Sequence, residues 1–245
     1  MTAPAATATK SPSVLEDIVD VFYQPSAVFE RRRNSGYGLA LLIYTVLSAL
    51  MLYAARPVMR PMFERQMDQQ IEKLRANPNL SAEQKESAAN RMRGMIDSPF
   101  AMIVPAVFIP IAVFVTSFAL WLVGKMFGSG ASYGQATMVT TFAMFPRMLI
   151  GALVTGYSIA TGREVATQYG LGINPAAFLD ADASPVFAAL LSRLDVGTLW
   201  ATALLGIGIA IVGRMTRTQG YVTAAVVWLL GGLVVLLGAL RQMAG

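Results

Sequence analysis

Five runs of mostly apolar residues dominate this sequence, each near the twenty or so residues a helix needs to cross a bilayer's hydrocarbon layer. They cover residues 38–55, 100–124, 134–160, 196–213 and 221–240. Backbone inside hydrocarbon must satisfy its own amides and carbonyls, so unbroken runs of this length commit to helices. The expected fold is all-α: a polytopic membrane protein built as a five-transmembrane-helix bundle. Composition agrees, because 13% charged residues is about half the share of a soluble domain.

The chain has no Cys and no His, which removes thiolate sites, disulfides and the commonest metal ligand and general base. No catalytic residue, cofactor or metal site is expected. The net charge of +5 is spread over the connecting segments and forms no single stripe, so nucleic acid is not an expected partner. Membrane lipid is. The opening segment, residues 1–13, is rich in Ala, Thr and Pro and reads as a disordered tail. No apolar core follows Lys10, so the first span is expected to serve as the insertion signal.

Between the tail and the first span, residues 14–37 carry Val14, Leu15, Ile18, Val21, Phe22 and Phe29 at largely helical spacing, with Glu16, Asp17 and Asp20 opposite. This predicts an amphipathic helix lying at the membrane interface, interrupted at Pro25. Short turns join spans two and three and spans four and five, which predicts two antiparallel hairpins. Glycines at 151, 156, 206, 208, 213, 231, 232 and 238 point to close helix packing, with a lipid or substrate groove as the alternative.

Two longer connections lie on the side opposite those turns. Residues 56–99 mix eight basic with six acidic side chains, the pattern of solvated helices. Phe63, Met67, Ile71 and Leu74 form an apolar stripe at three- and four-residue steps, and Ser81 with Gln84 makes a capping box after the Asn77-Pro78-Asn79 break. The prediction is an extracytoplasmic helical hairpin extending spans one and two, with the stripe as a candidate partner-docking surface. The alternative is a hairpin closed on itself, the stripe covered by Met92, Met95 and Ile96. Within the second connection, residues 161–195, Ser184-Pro185 is expected to start a short interfacial helix carrying Phe187 and Leu190.

Arg147 is the one charge deep in a span, and on insertion scales such a side chain costs at least about 2.5 kcal/mol at the helix centre. It should have a partner. The candidates are the carbonyl that Pro146 frees near Phe142, the hydroxyls of Thr140 and Thr141, Asp195, or another subunit. A buried structural clamp and an anion or lipid-headgroup contact are the two readings of this residue.

Three stretches carry a family resemblance: Tyr133 to Thr137 (YGQAT) opening the third span, Phe145-Pro146 within it, and Leu194 to Ile211 (LDVGTLWATALLGIGIAI). With Pro25 and Phe29 ahead of the first span, they resemble the Yip domain family, the Ypt-interacting proteins, in its bacterial branch. The resemblance covers most of the chain except residues 56–99. It implies a five-span bundle with a cytoplasmic N-terminus, a multi-pass location in the bacterial inner membrane, and no catalytic residues. It also implies a non-catalytic accessory or assembly role beside a MacB-type ABC exporter, in a hetero-oligomer with permease, ATPase and periplasmic adaptor. A small transporter or lipid-handling protein acting alone is the alternative.

Counting Lys and Arg disagrees with that orientation, since seven fall on the implied inner side and eleven on the outer. Eight of the eleven are intermixed with acids in the helical connection, so the N-in topology is retained as the expectation.

Overall fold

The computed structural model describes residues 13–96, 100–163, 165, 167, 169–180 and 183–244; of the expected tail, only Ser13 lies among them. Every regular element there is helical. The helices are α1 (Val14–Asp20), α2 (Pro25–Arg32), α3 (Gly38–Ala76), α4 (Ala82–Ile96), α5 (Phe100–Met126), α6 (Tyr133–Thr161), α7 (Pro185–Ser192), α8 (Val196–Gly213) and α9 (Arg217–Ala244), with a 3-10 turn at Pro175–Phe178. Five of them, α3, α5, α6, α8 and α9, are long and apolar enough to cross a membrane. The molecule is an all-helical five-span bundle.

Its helices begin where side chains replace missing backbone partners. Ser13 with Glu16 and Ser132 with Gln135 form reciprocal capping boxes, and Ser81 with Gln84 and Thr216 with Gln219 repeat the exchange. Asp195 caps α8 through the Thr198 amide at 2.8 Å. Ser184 precedes Pro185 as expected but makes no side-chain capping bond.

The centre of the bundle is α6 against α8, about half of whose apolar windows is buried (50% and 56%), whereas α3, α5 and α9 bury 22% each. Glycine decides which helices can be central. A Cβ built on Gly208 would stand 2.4 Å from Val139 Cγ1, and one on Gly220 would stand 2.4 Å from the Gly206 carbonyl oxygen. The α6–α8 and α8–α9 contacts are therefore made at near-backbone distance, which is how apolar helices associate where lipid is as apolar as they are. Outward, α3, α5 and α9 expose Leu50, Phe108, Val115, Leu233 and Val234, a surface suited to acyl chains.

The N-terminal segment packs against the bundle. Pro25 divides it into two helices that form a hairpin along the flank of α8. Phe22 meets Trp200 edge-on at 5.6 Å, Phe29 is fully buried beside Gly208, and Arg33 Nη2 donates to the Val212 carbonyl at 3.4 Å. From Trp200 to Val212 is about 18 Å of helix. The segment buries because Val21, Val28 and Phe29 fill the groove that Gly208 leaves open, which is more apolar contact than a surface position offers.

One charge enters with them. Asp17 is fully buried, and both Arg31 and Arg32 reach its carboxylate, Arg31 Nε at 3.0 Å, while Arg31 also binds Asp20 at 2.6 Å. These contacts, with Asp17 first, raise the Arg31 guanidinium above its already high ordinary value. Its contribution to stability is therefore complete below the ordinary arginine range and lost only as pH rises above it.

On the side opposite the turns, α3 continues unbroken from its span into the connection. Its 39 residues make a rod about 58 Å long, of which the part from Arg56 to Ala76 is about 30 Å. Pro57 and Pro61 lie inside it and remove two ladder donors, and the Val165 amide from the second connection reaches the Val58 carbonyl between them at 3.4 Å. The rod is thereby tied to that connection where its own hydrogen bonding is weakest. α4 packs back along α3, and Ile71 and Ala89 are buried where the two helices meet.

Candidate functional site: a cationic cavity inside the bundle

Arg147 sits midway along α6, about 21 Å from Tyr133. None of the partners anticipated within the chain holds it among the described residues. The Thr140 and Thr141 hydroxyls are spent on the carbonyls of Ala136 and Thr137 at 2.9 and 2.8 Å, bonds within α6 itself. Asp195 stands near, but its Oδ1 serves the amide and hydroxyl of Thr198 and forms no ion pair with Arg147. Nor does Arg147 make a hydrogen bond to any described residue, the freed carbonyl at Phe142 included. Arg147 is exposed and opens into a cavity.

That cavity has a volume of about 610 Å³ and is lined by α3, α5, α6, the segment 169–174, the α7–α8 junction and α9. Its walls are apolar, with Met51, Ile109, Val113 and Val235 among them, and its polar groups gather at Arg147, Arg193, Asp195 and Ser48. The charged groups meet because α8 is short. Gly197, in its first turn, packs so closely on α6 that a Cβ there would be 3.1 Å from the Arg147 Cα. The middle of α6 is thus level with the start of α8, and the charges just before α8 are brought beside Arg147.

Arg193, which sequence reading did not single out, is the second cation. Its Nη2 donates to the Trp228 carbonyl at 2.6 Å and its guanidinium lies 5.2 Å from the Trp228 ring centre. It lies over Gly231 and Gly232 of α9, where a Cβ at either would stand at ordinary contact distance, 3.5 and 3.4 Å from its nearest nitrogen. Its Nε is buried without a partner among the described residues. Burial first, and then the charge of Arg147, push the Arg193 pKa below its ordinary value. The signal in the sequence was the Gly231-Gly232 pair, whose purpose only the fold reveals.

The expected docking stripe is distributed differently. Ile71 is 3% exposed inside the α3–α4 contact, Met67 and Leu74 are half-buried, and only Phe63 is exposed, at 44%. Met92 on the returning helix is half-buried, and the Met95 and Ile96 side chains lie outside the described residues.

No match emerges among curated proteins or solved structures. A family model does match, over residues 19–239, and it takes in the N-terminal hairpin from Val19 onward, all five spans and both long connections. Yip1 domain proteins are non-enzymatic membrane proteins. On that coverage, nearly the whole chain, this protein belongs to the Yip1 domain family.

Proposed function

We propose that this protein is a non-catalytic accessory subunit that docks on a membrane transport complex through the arm formed by α3 and α4. The observation carrying this reading is the continuity of α3. A span that runs without a break into a rod about 30 Å beyond Arg56 couples a position outside the membrane rigidly to the bundle. The arm offers charge of both signs, exemplified by the exposed Arg60–Glu64 pair at 2.8 Å, together with Phe63 at its base. Single exposed pairs contribute little to stability, so such a surface is free to serve recognition. An ABC exporter with its periplasmic adaptor is the partner this reading favours by family analogy, with the arm outside the inner membrane and the N-terminus in the cytoplasm.

Replacing residues 62–92 with a short Gly/Ser turn should leave the five spans inserted and abolish co-purification of the membrane partner from mild detergent. Undiminished co-purification would move the contact to the spans. Orientation has its own test, by cysteines introduced singly at exposed positions in intact cells. Asn79 reports the arm, and Met126, 79% exposed, reports the turns better than the buried Ser129. An impermeant thiol reagent is expected to label Asn79→Cys and spare Met126→Cys; the converse would invert the topology. Lipid handling by the protein alone is the second reading, favoured by the cationic cavity.

A further inference from the structure

We propose that the cavity between Arg147 and Arg193 is a binding site for the phosphate-bearing headgroup of an anionic lipid. It rests on the geometry of the cavity and is independent of any docking role for the arm.

Two guanidinium groups line one half-open space, and Asp195, fixed as the cap of α8, is the one carboxylate described there. Like charges that share such a space repel each other, and an anion between them relieves the repulsion. Arginine presents a planar fork of donors matched to phosphate oxygens, and here the donors are uncommitted: Arg147 bonds no described residue, and Arg193 keeps Nε free while Nη2 holds Trp228. Ser48, 7% exposed, adds a hydroxyl to the same lining, with the Tyr44 side chain beside it.

A lipid is the source favoured over the free ion. Much of the remaining lining is apolar, and part of it belongs to α3, α5 and α9, the three spans whose outward faces are open to acyl chains. A volume of about 610 Å³ accommodates a headgroup with the first carbons of its chains, well beyond the need of a bare phosphate. The helix α7 exposes Phe187 and Leu190 while burying Ala188 and Ala189 against α9, so lipid also borders the site at the junction that carries Arg193.

The test uses the full-length protein, purified and returned to nanodiscs of phosphatidylcholine, with fluorescent phosphatidic acid as the probe. Arg147→Gln combined with Arg193→Gln is expected to weaken phosphatidic acid binding by roughly tenfold or more, since two charge-assisted contacts are lost. Arg241→Gln, an exposed basic residue at the end of α9, should bind as the unaltered protein does. Unchanged binding in the double variant, or equal binding of labelled phosphatidylcholine by the unaltered protein, would overturn the proposal. Displacement of the lipid by millimolar inorganic phosphate would assign the site to the free anion and overturn the lipid source. Should the double variant not remain monodisperse, a photoactivatable phosphatidic acid on the unaltered protein decides. Adducts on the α6 segment around Met144 and Met148, both lining the cavity, support the site, and adducts confined to other surfaces refute it.

Discussion

Asp17→Asn is expected to destabilise the detergent-solubilised protein by about 3 kcal/mol, the lower part of the range for breaking a buried ion pair from one side. Asp17 is fully enclosed, and its carboxylate is the shared acceptor of Arg31 and Arg32, whose side chains keep 31% and 15% exposure. Losing the carboxylate removes the acceptor the two arginines share, and Arg31 retains only its more exposed pair with Asp20. Arg31→Gln should cost clearly less, because Arg32 still neutralises Asp17 and the vacated position reaches water. Thermal unfolding followed by the intrinsic fluorescence of Trp200, which contacts the hairpin through Phe22, reads both variants. If the two unfold at the same temperature as the unaltered chain, the hairpin contributes nothing to the bundle and lies loosely upon it.

The second large effect is expected at the α8–α9 crossing. Gly220→Ala puts a methyl group 2.4 Å from the Gly206 carbonyl oxygen and 2.7 Å from the Ala210 Cβ, and neither neighbour is the end of a flexible side chain. The helices must separate, and overpacking of this kind costs about 1 to 3 kcal/mol. Gly238→Ala, where a Cβ meets nothing within 4 Å, is the matched control on the same helix and should be neutral or slightly stabilising. Comparison of the two by thermal unfolding isolates the crossing. Equal melting would mean that α8 and α9 do not meet at the backbone distance described.

These two sites show where local pattern was informative and where it was not. The capping box of Ser81 and Gln84 was legible from its spacing, because a cap is settled within four residues. The glycines were legible as packing residues but not in their separate duties. Gly206 and Gly208 admit other helices, Gly231 and Gly232 lie at ordinary contact distance beneath Arg193, and Gly156 and Gly238 meet nothing. The surface that the N-terminal helices pack against was not legible for a related reason. Their one-sided apolar pattern fits either a membrane surface or a protein groove, and the choice depends on whether α8 offers that groove.

Apolar length alone determined the five spans, since each run must hydrogen-bond to itself wherever water is excluded. The break at Asn77-Pro78-Asn79 likewise determined a hairpin, and the absence of His and Cys narrowed the chemistry from the outset. Only the tertiary structure decided which spans are central and at what depth the charges lie. Arg147 is in the middle of its helix by sequence, yet α8 is eighteen residues long against the 29 of α6, so the residues preceding α8 arrive level with that midpoint. A cavity with two arginines is the result of that mismatch in helix length and stagger, and no single stretch of the chain encodes it.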